Sequence, residues 1–197
     1  MKRSQTFFAR RLKPLIFMAV ATIICIVLTS SLHLLTRERV ELNELFFMRR
    51  SILDAAAVEH TGDVEGVNAI YESMVSETGE VYVVTTDEGN NYVKVFKGPG
   101  LWGEITILVG FEDDLKTISG VSVFAQNETP GLGARIEEPW FSQQFKGKAG
   151  PFSLVEEGTA TASDEMDAIT GATRTSDAFK NIINRAISES ATLKGGE

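Results

Sequence analysis

The sequence predicts an α+β protein, in which an N-terminal transmembrane helix is followed by a single domain of helices and antiparallel strands. Residues 14–36 contain no Lys, Arg, Asp or Glu, and about 20 apolar residues suffice for a helix that crosses a bilayer. Short runs rich in β-branched and aromatic residues cluster between residues 81 and 124, with helical patterns on either side. Strands grouped in this way favour an α+β class over alternating strands and helices.

The uncharged segment is expected to remain in the protein as a membrane anchor. A cleaved signal peptide is the alternative, but the apolar stretch is long for one and no Ala-x-Ala cleavage site follows it. Five Lys and Arg residues precede the segment, and this excess predicts an N-terminus in the cytoplasm. The domain would then lie on the periplasmic, extracytoplasmic side of the inner (cytoplasmic) membrane. The expected divisions are a basic cytoplasmic tail (1–13), a transmembrane helix (14–36), a helical linker region packing on the domain (37–75) and the domain itself (76–193).

Charge and residue counts exclude several classes of function. The whole chain carries a net charge of −8, and residues 1–36 hold five Lys and Arg and no acidic residue, which leaves −13 for residues 37–197. An acidic domain repels phosphate backbones, so nucleic acid is not an expected partner. The single cysteine, Cys25, and two distant histidines, His33 and His60, make neither a Cys cluster nor a convincing metal site. No Ser-His-Asp or Cys-His arrangement is available, and we assign no catalytic residue.

Apolar periodicity and turn residues predict the elements of the domain. Helices show apolar residues along one face, and strands show short alternating or continuous apolar runs. Residues 87–91 are turn-like and join two strands into a hairpin. The expected elements are helices over 41–58 and 64–75, strands over 81–85, 92–96, 105–111 and 117–124, and helices over 139–145 and 176–190.

Three glycine-containing loops combine a flexible backbone with residues that can contact a planar or phosphorylated ligand. The first, Gly98–Gly103, contains Trp102, whose ring offers a face for stacking. The second, Glu128–Gly133, includes Thr-Pro-Gly-Leu, which fits a type II turn that directs N–H groups outward. The third, Asp167–Ser176, presents hydroxyls at the start of a helix, where free N–H groups favour a phosphate.

Each loop also has an ordinary structural interpretation. The first could be a tight turn with a core tryptophan, and the second a plain turn between elements. The third could be a helix start capped by the side chain of Thr173, Thr175 or Ser176. The residues alone leave these alternatives open.

Taken together, the loops resemble the FMN-binding family that includes the C subunit of the sodium-translocating NADH:quinone reductase and the G subunit of the Rnf electron-transport complex. The run from Asp167 to Thr173 looks like the Asp-x-x-Thr-Gly-Ala-Thr motif at which flavin transferases attach FMN. Two positions depart from the family's pattern, since Asn127 stands where His or Gly is common and Thr170 where Ser is common. The matching stretches, in the family's order, are an N-terminal membrane helix, Ser51–Ala56, Gly98–Trp102, Glu128–Gly133, Trp140–Lys148 and Thr170–Ser176.

This resemblance implies FMN joined by a phosphoester to Thr173, and recognition of Asp167 by the flavin transferase. Family members pass electrons between neighbouring carriers, in complexes that couple this flow to sodium or proton movement. The chain would be a membrane-anchored electron-transfer subunit of such an oxidoreductase rather than a self-contained enzyme. Its partners would be other membrane subunits, the flavin transferase and the lipid bilayer. The further cofactor-binding residues that the resemblance implies are Trp102, Glu128, Thr129, Leu132, Thr170, Gly171 and Ala172.

Three other functions stay open from the sequence. A free-standing extracytoplasmic flavoprotein would donate electrons to another reductase without membrane subunits of its own. A cofactor-free, membrane-tethered binding module would use the same loops for a peptide or small ligand and would be colourless. An enzyme with non-covalent FMN would release its flavin on acid precipitation. The Rnf and quinone-reductase types are also not separated, because the chain length is nearer the former while Ser51–Ala56 resembles the latter.

Overall fold

The computed structural model describes residues 2–87 and 89–194. The chain divides into two compact units, Met1–Leu45 and Phe46–Glu197. Helix α1 runs over Lys2–Ala55, so the helix expected over 41–58 is present as far as Ala55, as a continuation of the helix that begins at the N-terminus. The two segments join because residues 37–55 contain neither Gly nor Pro, the residues that interrupt helices.

The described part of the first unit is helical, with charged residues on either side of an apolar stretch. Within α1, the described stretch from Leu12 is long and apolar enough, by length and composition, to cross a membrane. Three threonines interrupt the apolar sequence, and each bonds a carbonyl oxygen four residues earlier in the helix. The Oγ1–O distances are 2.8 Å for Thr22, 2.8 Å for Thr29 and 2.9 Å for Thr36. Because these hydroxyls are satisfied inside the helix, they are compatible with an apolar surrounding.

The second unit is built on a five-stranded antiparallel sheet whose strands follow chain order. The expected hairpin is confirmed, with Val84 opposite Asn91 and Thr86 opposite Gly89. The first strand was not expected from the sequence and pairs at the edge of the sheet. The sheet consists of β1 (Val75–Thr78), β2 (Val81–Thr86), β3 (Gly89–Pro99), β4 (Glu104–Phe111) and β5 (Ile118–Ala125).

Helices and a small second sheet complete this unit and confirm the α+β class. A two-stranded parallel sheet, which the sequence did not predict, precedes the last helix. A 3-10 turn over Gly133–Glu137 follows the second glycine loop. The remaining elements are α2 (Val64–Met74), α3 (Pro139–Gln143), β6 (Ser153–Val155), β7 (Glu165–Asp167) and α4 (Thr173–Glu189).

The five-stranded sheet is covered on both faces, which explains the continuous apolar run of β4. On one face, Phe179 of α4 packs against Phe141 and Phe145, with ring centroids 5.0 Å and 5.7 Å away. On the other face, Ile52 at the end of α1 and Tyr71 of α2 belong to a second buried cluster. A strand buried on both faces carries apolar residues at successive positions rather than at alternate ones.

The end of α1 sits in a notch formed by two glycines of the sheet. Gly110 of β4 lies opposite Gly120 of β5. A Cβ atom at Gly110 would overlap the carbonyl oxygen of Ala55, and one at Gly120 would lie 2.7 Å from that of Asp54. Ser119 donates a hydrogen bond of 2.9 Å to the Ala55 oxygen. The two glycines therefore let the helix end approach the sheet backbone directly.

Candidate functional site

The structure brings the first and third glycine loops together around a shallow groove of about 470 Å³. One wall is formed by Pro99, Gly100 and Leu101. The other is formed by the first turns of α4, with Thr173 and Arg174 among its lining residues. The threonine that the resemblance identifies as the attachment point therefore lies in a concave surface.

Helix α4 begins at Thr173, three residues earlier than the sequence predicted. The residue before it, Ala172, occupies the N-cap position and makes no side-chain capping bond. The first backbone bond of the helix is donated by the N–H of Ser176 to the oxygen of Ala172, at 3.0 Å. The alternative of a helix capped by Thr173, Thr175 or Ser176 is therefore wrong. An uncapped helix start leaves its first N–H groups available to an anion.

A tight turn holds the start of α4 in place. The N–H of Ala172 bonds the oxygen of Ile169 at 2.9 Å, and Gly171 has φ +79° at the third position of this turn. These features indicate a type II turn, which favours glycine there. The hydroxyl of buried Ser176 accepts the N–H of Ile169 at 2.9 Å and donates to the Ala172 oxygen at 3.1 Å. Ser176 thus ties the turn to the helix that follows it.

The second glycine loop forms a similar turn, as the sequence predicted. The N–H of Leu132 bonds the oxygen of Thr129 at 3.1 Å, and Gly131 has φ +74°. The side chain of Leu132 is 43% exposed, and its Cδ2 atom would lie 3.2 Å from a Cβ at Gly171. The turns of the second and third loops therefore touch, while the side chain of Thr129 is exposed.

Glu128 joins all three loops. Its Oε1 accepts the N–H groups of Leu101 and Trp102 at 2.8 Å and 3.0 Å. Its Oε2 accepts the hydroxyl of Thr175 at 2.5 Å. The residue is only 5% exposed, so its carboxylate is engaged by the protein itself. The resemblance implied that Glu128 binds the cofactor, whereas the geometry connects its carboxylate to the two walls of the groove.

The two tryptophans of the domain have different environments. Trp102 is 69% exposed, so the alternative of a core tryptophan in the first loop is wrong. Trp140 is half-buried and donates its indole N–H to Glu138 at 2.5 Å. The guanidinium of Arg135 lies 5.4 Å from the Trp140 ring centroid. Of these two rings, the one on the glycine loop is free to stack on a ligand.

Asp167 organises the segment next to the attachment motif. Its Oδ1 accepts the N–H groups of Thr159 and Ala160 at 3.0 Å and 2.9 Å. The loop held in this way also contains Glu157, whose Oε2 accepts the N–H of Thr170 at 2.7 Å. Asp167 and Thr170 are therefore linked through the 157–160 loop as well as along the chain.

Arg135 completes this network, and sequence reasoning missed it. Its guanidinium lies 2.9 Å from the Glu157 carboxylate. The hydrogen bond from Arg135 and the N–H of Thr170 lower the pKa of Glu157 from 4.5 to about 2. No motif signals this pairing, because the two residues are 22 positions apart and meet only when the loops fold.

The groove fits the phosphate end of a flavin nucleotide. Thr173 offers an exposed hydroxyl at the first position of an uncapped helix. Arg174 beside it makes no ion pair with any residue of the ranges 2–87 and 89–194. The exposed side chain of Leu101 lines the same groove, and the exposed ring of Trp102 follows it in the chain. A positive helix end, a cation and an exposed aromatic ring are the groups that a phosphorylated planar molecule needs.

Comparison with known proteins identifies similar chains. The family model for the FMN-binding domain matches residues 100–188 of the sequence. The C subunit of the Na(+)-translocating NADH-quinone reductase of Vibrio anguillarum is 36% identical over 115 residues, 54% of this chain and 45% of that protein. The chain thus spans about half the length of the reductase relatives that it matches. The G subunit of the Na(+)-translocating ferredoxin:NAD(+) oxidoreductase complex of Acetobacterium woodii is 36% identical over 152 residues, 71% of this chain and 70% of that protein.

A solved structure shares the fold. The C subunit of the Na(+)-translocating NADH-quinone reductase from Parabacteroides distasonis superimposes with a TM-score of 0.67 and is 27% identical. The match covers 80% of this chain and 95% of that one. The similarity therefore extends over most of this chain and nearly all of that one.

Proposed function

Because the chain belongs to the FMN-binding family that includes these C and G subunits, we propose that it carries FMN covalently on Thr173. It acts as a membrane-anchored electron-transfer subunit of an ion-translocating oxidoreductase. FMN supplies the redox chemistry when bound, and the protein binds, orients and tunes it. This division of labour agrees with a sequence that offers no nucleophile–base arrangement.

One observation carries the choice of Thr173 over the neighbouring hydroxyls. Thr173 is exposed and lines the groove. Thr175 and Ser176 are 1% and 0% exposed, and their hydroxyls bond Glu128 and the turn. Thr170 is exposed, but it is the second residue of the turn and does not line the groove, and its N–H is held by Glu157. We therefore place the phosphoester on Thr173, which among these four residues is both exposed and part of the groove.

The neighbouring residues have distinct roles in this proposal. The N-terminus of α4 and the Arg174 guanidinium stabilise the phosphate charge. Trp102, Leu132 and the exposed backbone around Thr129 contact the isoalloxazine ring. Gly171 and Ala172 shape the turn before Thr173, and Asp167 is recognised by the flavin transferase.

The anchor and the partners follow from the same proposal. The apolar part of α1 spans the cytoplasmic membrane, with the basic N-terminus in the cytoplasm and the FMN domain on the periplasmic side. A covalent link retains FMN on a domain that has no access to the cytoplasmic FMN pool. Other membrane subunits supply and remove the electrons.

Intact mass after denaturation tests the attachment. The full chain is expressed with a flavin transferase as wild type, Thr173→Ala, Thr173→Ser and Thr170→Ala. We expect an FMN adduct on wild type, Thr173→Ser and Thr170→Ala, and none on Thr173→Ala. An adduct that persists on Thr173→Ala would contradict the assignment, and no adduct on any variant would favour the cofactor-free binding module. Yellow protein whose flavin is lost on acid precipitation would indicate non-covalent FMN.

Purification from the native membrane tests the partners. Co-purification of other membrane subunits with the flavinylated chain would support the ion-translocating complex. A flavinylated chain that purifies alone under mild detergent would instead indicate the free-standing electron donor.

A further inference from the structure

We infer that Glu128 is a positioning residue, which fixes the first turn of α4 against the Gly98–Gly103 loop and thereby sets the shape of the groove at Thr173. The positional claim concerns the folded chain alone. Its consequence for FMN attachment rests on the proposed function.

The Glu128 side chain bonds both walls of the groove. Leu101, whose N–H bonds Glu128 Oε1 at 2.8 Å, lines the groove on the loop side. Thr175, whose hydroxyl bonds Oε2 at 2.5 Å, lies in the first turn of α4 two residues after Thr173. Glu128 itself comes from the second loop, so the three segments meet at a single buried carboxylate.

The backbone around this carboxylate leaves the space that it needs. A Cβ atom at Gly100 would lie 2.5 Å from Glu128 Oε1, and one at Gly133 would lie 2.8 Å from Oε2. Both glycines therefore leave the room that the carboxylate occupies. A shorter Asp at position 128 would lack one methylene and could not keep its bonds to both walls.

The Glu128 carboxylate accepts hydrogen bonds from three donors. Two of the three are backbone N–H groups and the third is a hydroxyl. Removal of the carboxylate leaves two N–H groups without their acceptor, and removal of the Thr175 hydroxyl leaves the buried carboxylate with one donor fewer. Because unpaired buried polar groups are costly, either change separates the walls. Because Glu128 is 5% exposed, it acts on a ligand through the loop and the helix that it holds.

Hydrogen exchange of the full chain in detergent, made without a flavin transferase, tests the positional claim directly. The readout is the exchange rate of backbone amides in peptides that cover residues 98–103. We expect Glu128→Ala to raise the exchange of Leu101 and Trp102 by about tenfold or more, since each amide loses a bond to a charged group. Glu128→Gln keeps an oxygen for these amides and restores most of the protection. Unchanged exchange in Glu128→Ala would overturn the inference.

The rate of FMN attachment by a flavin transferase tests the consequence. Thr175→Val removes the hydroxyl with little change of shape, and Thr175→Ser retains it. We expect Thr175→Val and Glu128→Ala to slow attachment about tenfold, and Thr175→Ser to stay near wild type. Ser190→Ala is the matched control, because Ser190 is also buried and bonds a distant carbonyl, that of Leu115 at 2.6 Å.

The outcomes separate the two claims. If Thr175→Val attaches FMN as fast as the control Ser190→Ala does, the link between Glu128 and the groove is refuted. Failure of the wild type itself to gain FMN would refute the proposed function, and the exchange measurement would still decide the role of Glu128. If Glu128→Ala fails to fold, Thr175→Val gives the same decision, because it removes one hydrogen bond only.

Discussion

The conformation of Gly171, in the turn before Thr173, predicts how far Gly171→Ala lowers the rate of FMN attachment. Gly171 has φ +79°, a conformation that costs an L-residue about 1–2 kcal/mol. The new methyl group would lie 3.2 Å from Leu132 Cδ2, the end of an exposed side chain that can move away. Backbone strain therefore dominates the effect.

The strain is expected to be relieved by a flip of the peptide between Thr170 and Gly171. A type I turn needs a negative φ at this position and accepts alanine. A difference of about 1–2 kcal/mol changes the ratio of two conformations by roughly 5–30-fold. The native turn, which the N–H of Ala172 closes on Ile169, would then be a minor conformation. We expect the rate of FMN attachment to Thr173 to fall by about the same factor.

Gly62→Ala is the matched control for this substitution. Gly62 has φ +80°, and a Cβ atom there would meet nothing within 4 Å. Both variants should therefore lose about 1 kcal/mol of unfolding free energy, after the entropy that alanine removes from the unfolded chain is counted. Thermal unfolding in detergent and time courses of the FMN adduct measure the two effects. Equal attachment rates for Gly171→Ala and Gly62→Ala would refute the reasoning.

Three further predictions concern the stability of the domain. Ala57 lies two residues after the end of α1 and has φ +56°. Ala57→Gly should therefore stabilise the protein by about 0.5–1 kcal/mol, measured as a higher midpoint of thermal unfolding. Gly110→Ala should destabilise it by about 3 kcal/mol, because the methyl group overlaps the Ala55 oxygen and overpacking adds to a broken hydrogen bond; a loss below 1 kcal/mol would contradict the notch. Arg135 holds the pKa of Glu157 at about 2, below its ordinary value of 4.5. The stabilisation from this pair is therefore present above pH 4.5 and lost as the pH falls to 2, so the unfolding midpoints of wild type and Glu157→Gln should converge over that range.

The strands and turns could be predicted because their signals are local. The hairpin of β2 and β3 follows from two β-rich runs around a turn, and the turn at Thr129–Leu132 follows from Pro and Gly at defined positions. The strands β6 and β7 have three residues each, which is too short for a period to be recognised.

The start of α4 and the burial of Glu128 could not be predicted for a different reason. The first turn of α4 is polar, so apolar periodicity places the helix start later than Thr173. A glutamate is normally exposed, and nothing beside Glu128 in the chain reveals that its partners are 26 to 47 residues away. The resemblance pointed to three loops, whereas the contacts among them depend on the tertiary fold.

Two contacts of different chemistry fix α4 relative to the first glycine loop. At Thr175 the contact is the hydrogen bond to Glu128. At Ile182 it is apolar, since a Cβ at Gly98 would lie 2.5 Å from Ile182 Cγ1 and the side chain therefore packs directly on the strand backbone. The two residues are seven positions apart, about 10 Å along the helix axis. Together with the buried packing of Phe179, these two separated contacts hold the N-terminus of α4, and hence Thr173, at a set distance from the loop. Under the proposed function, FMN held between walls of this kind would need little rearrangement when charge moves on and off it.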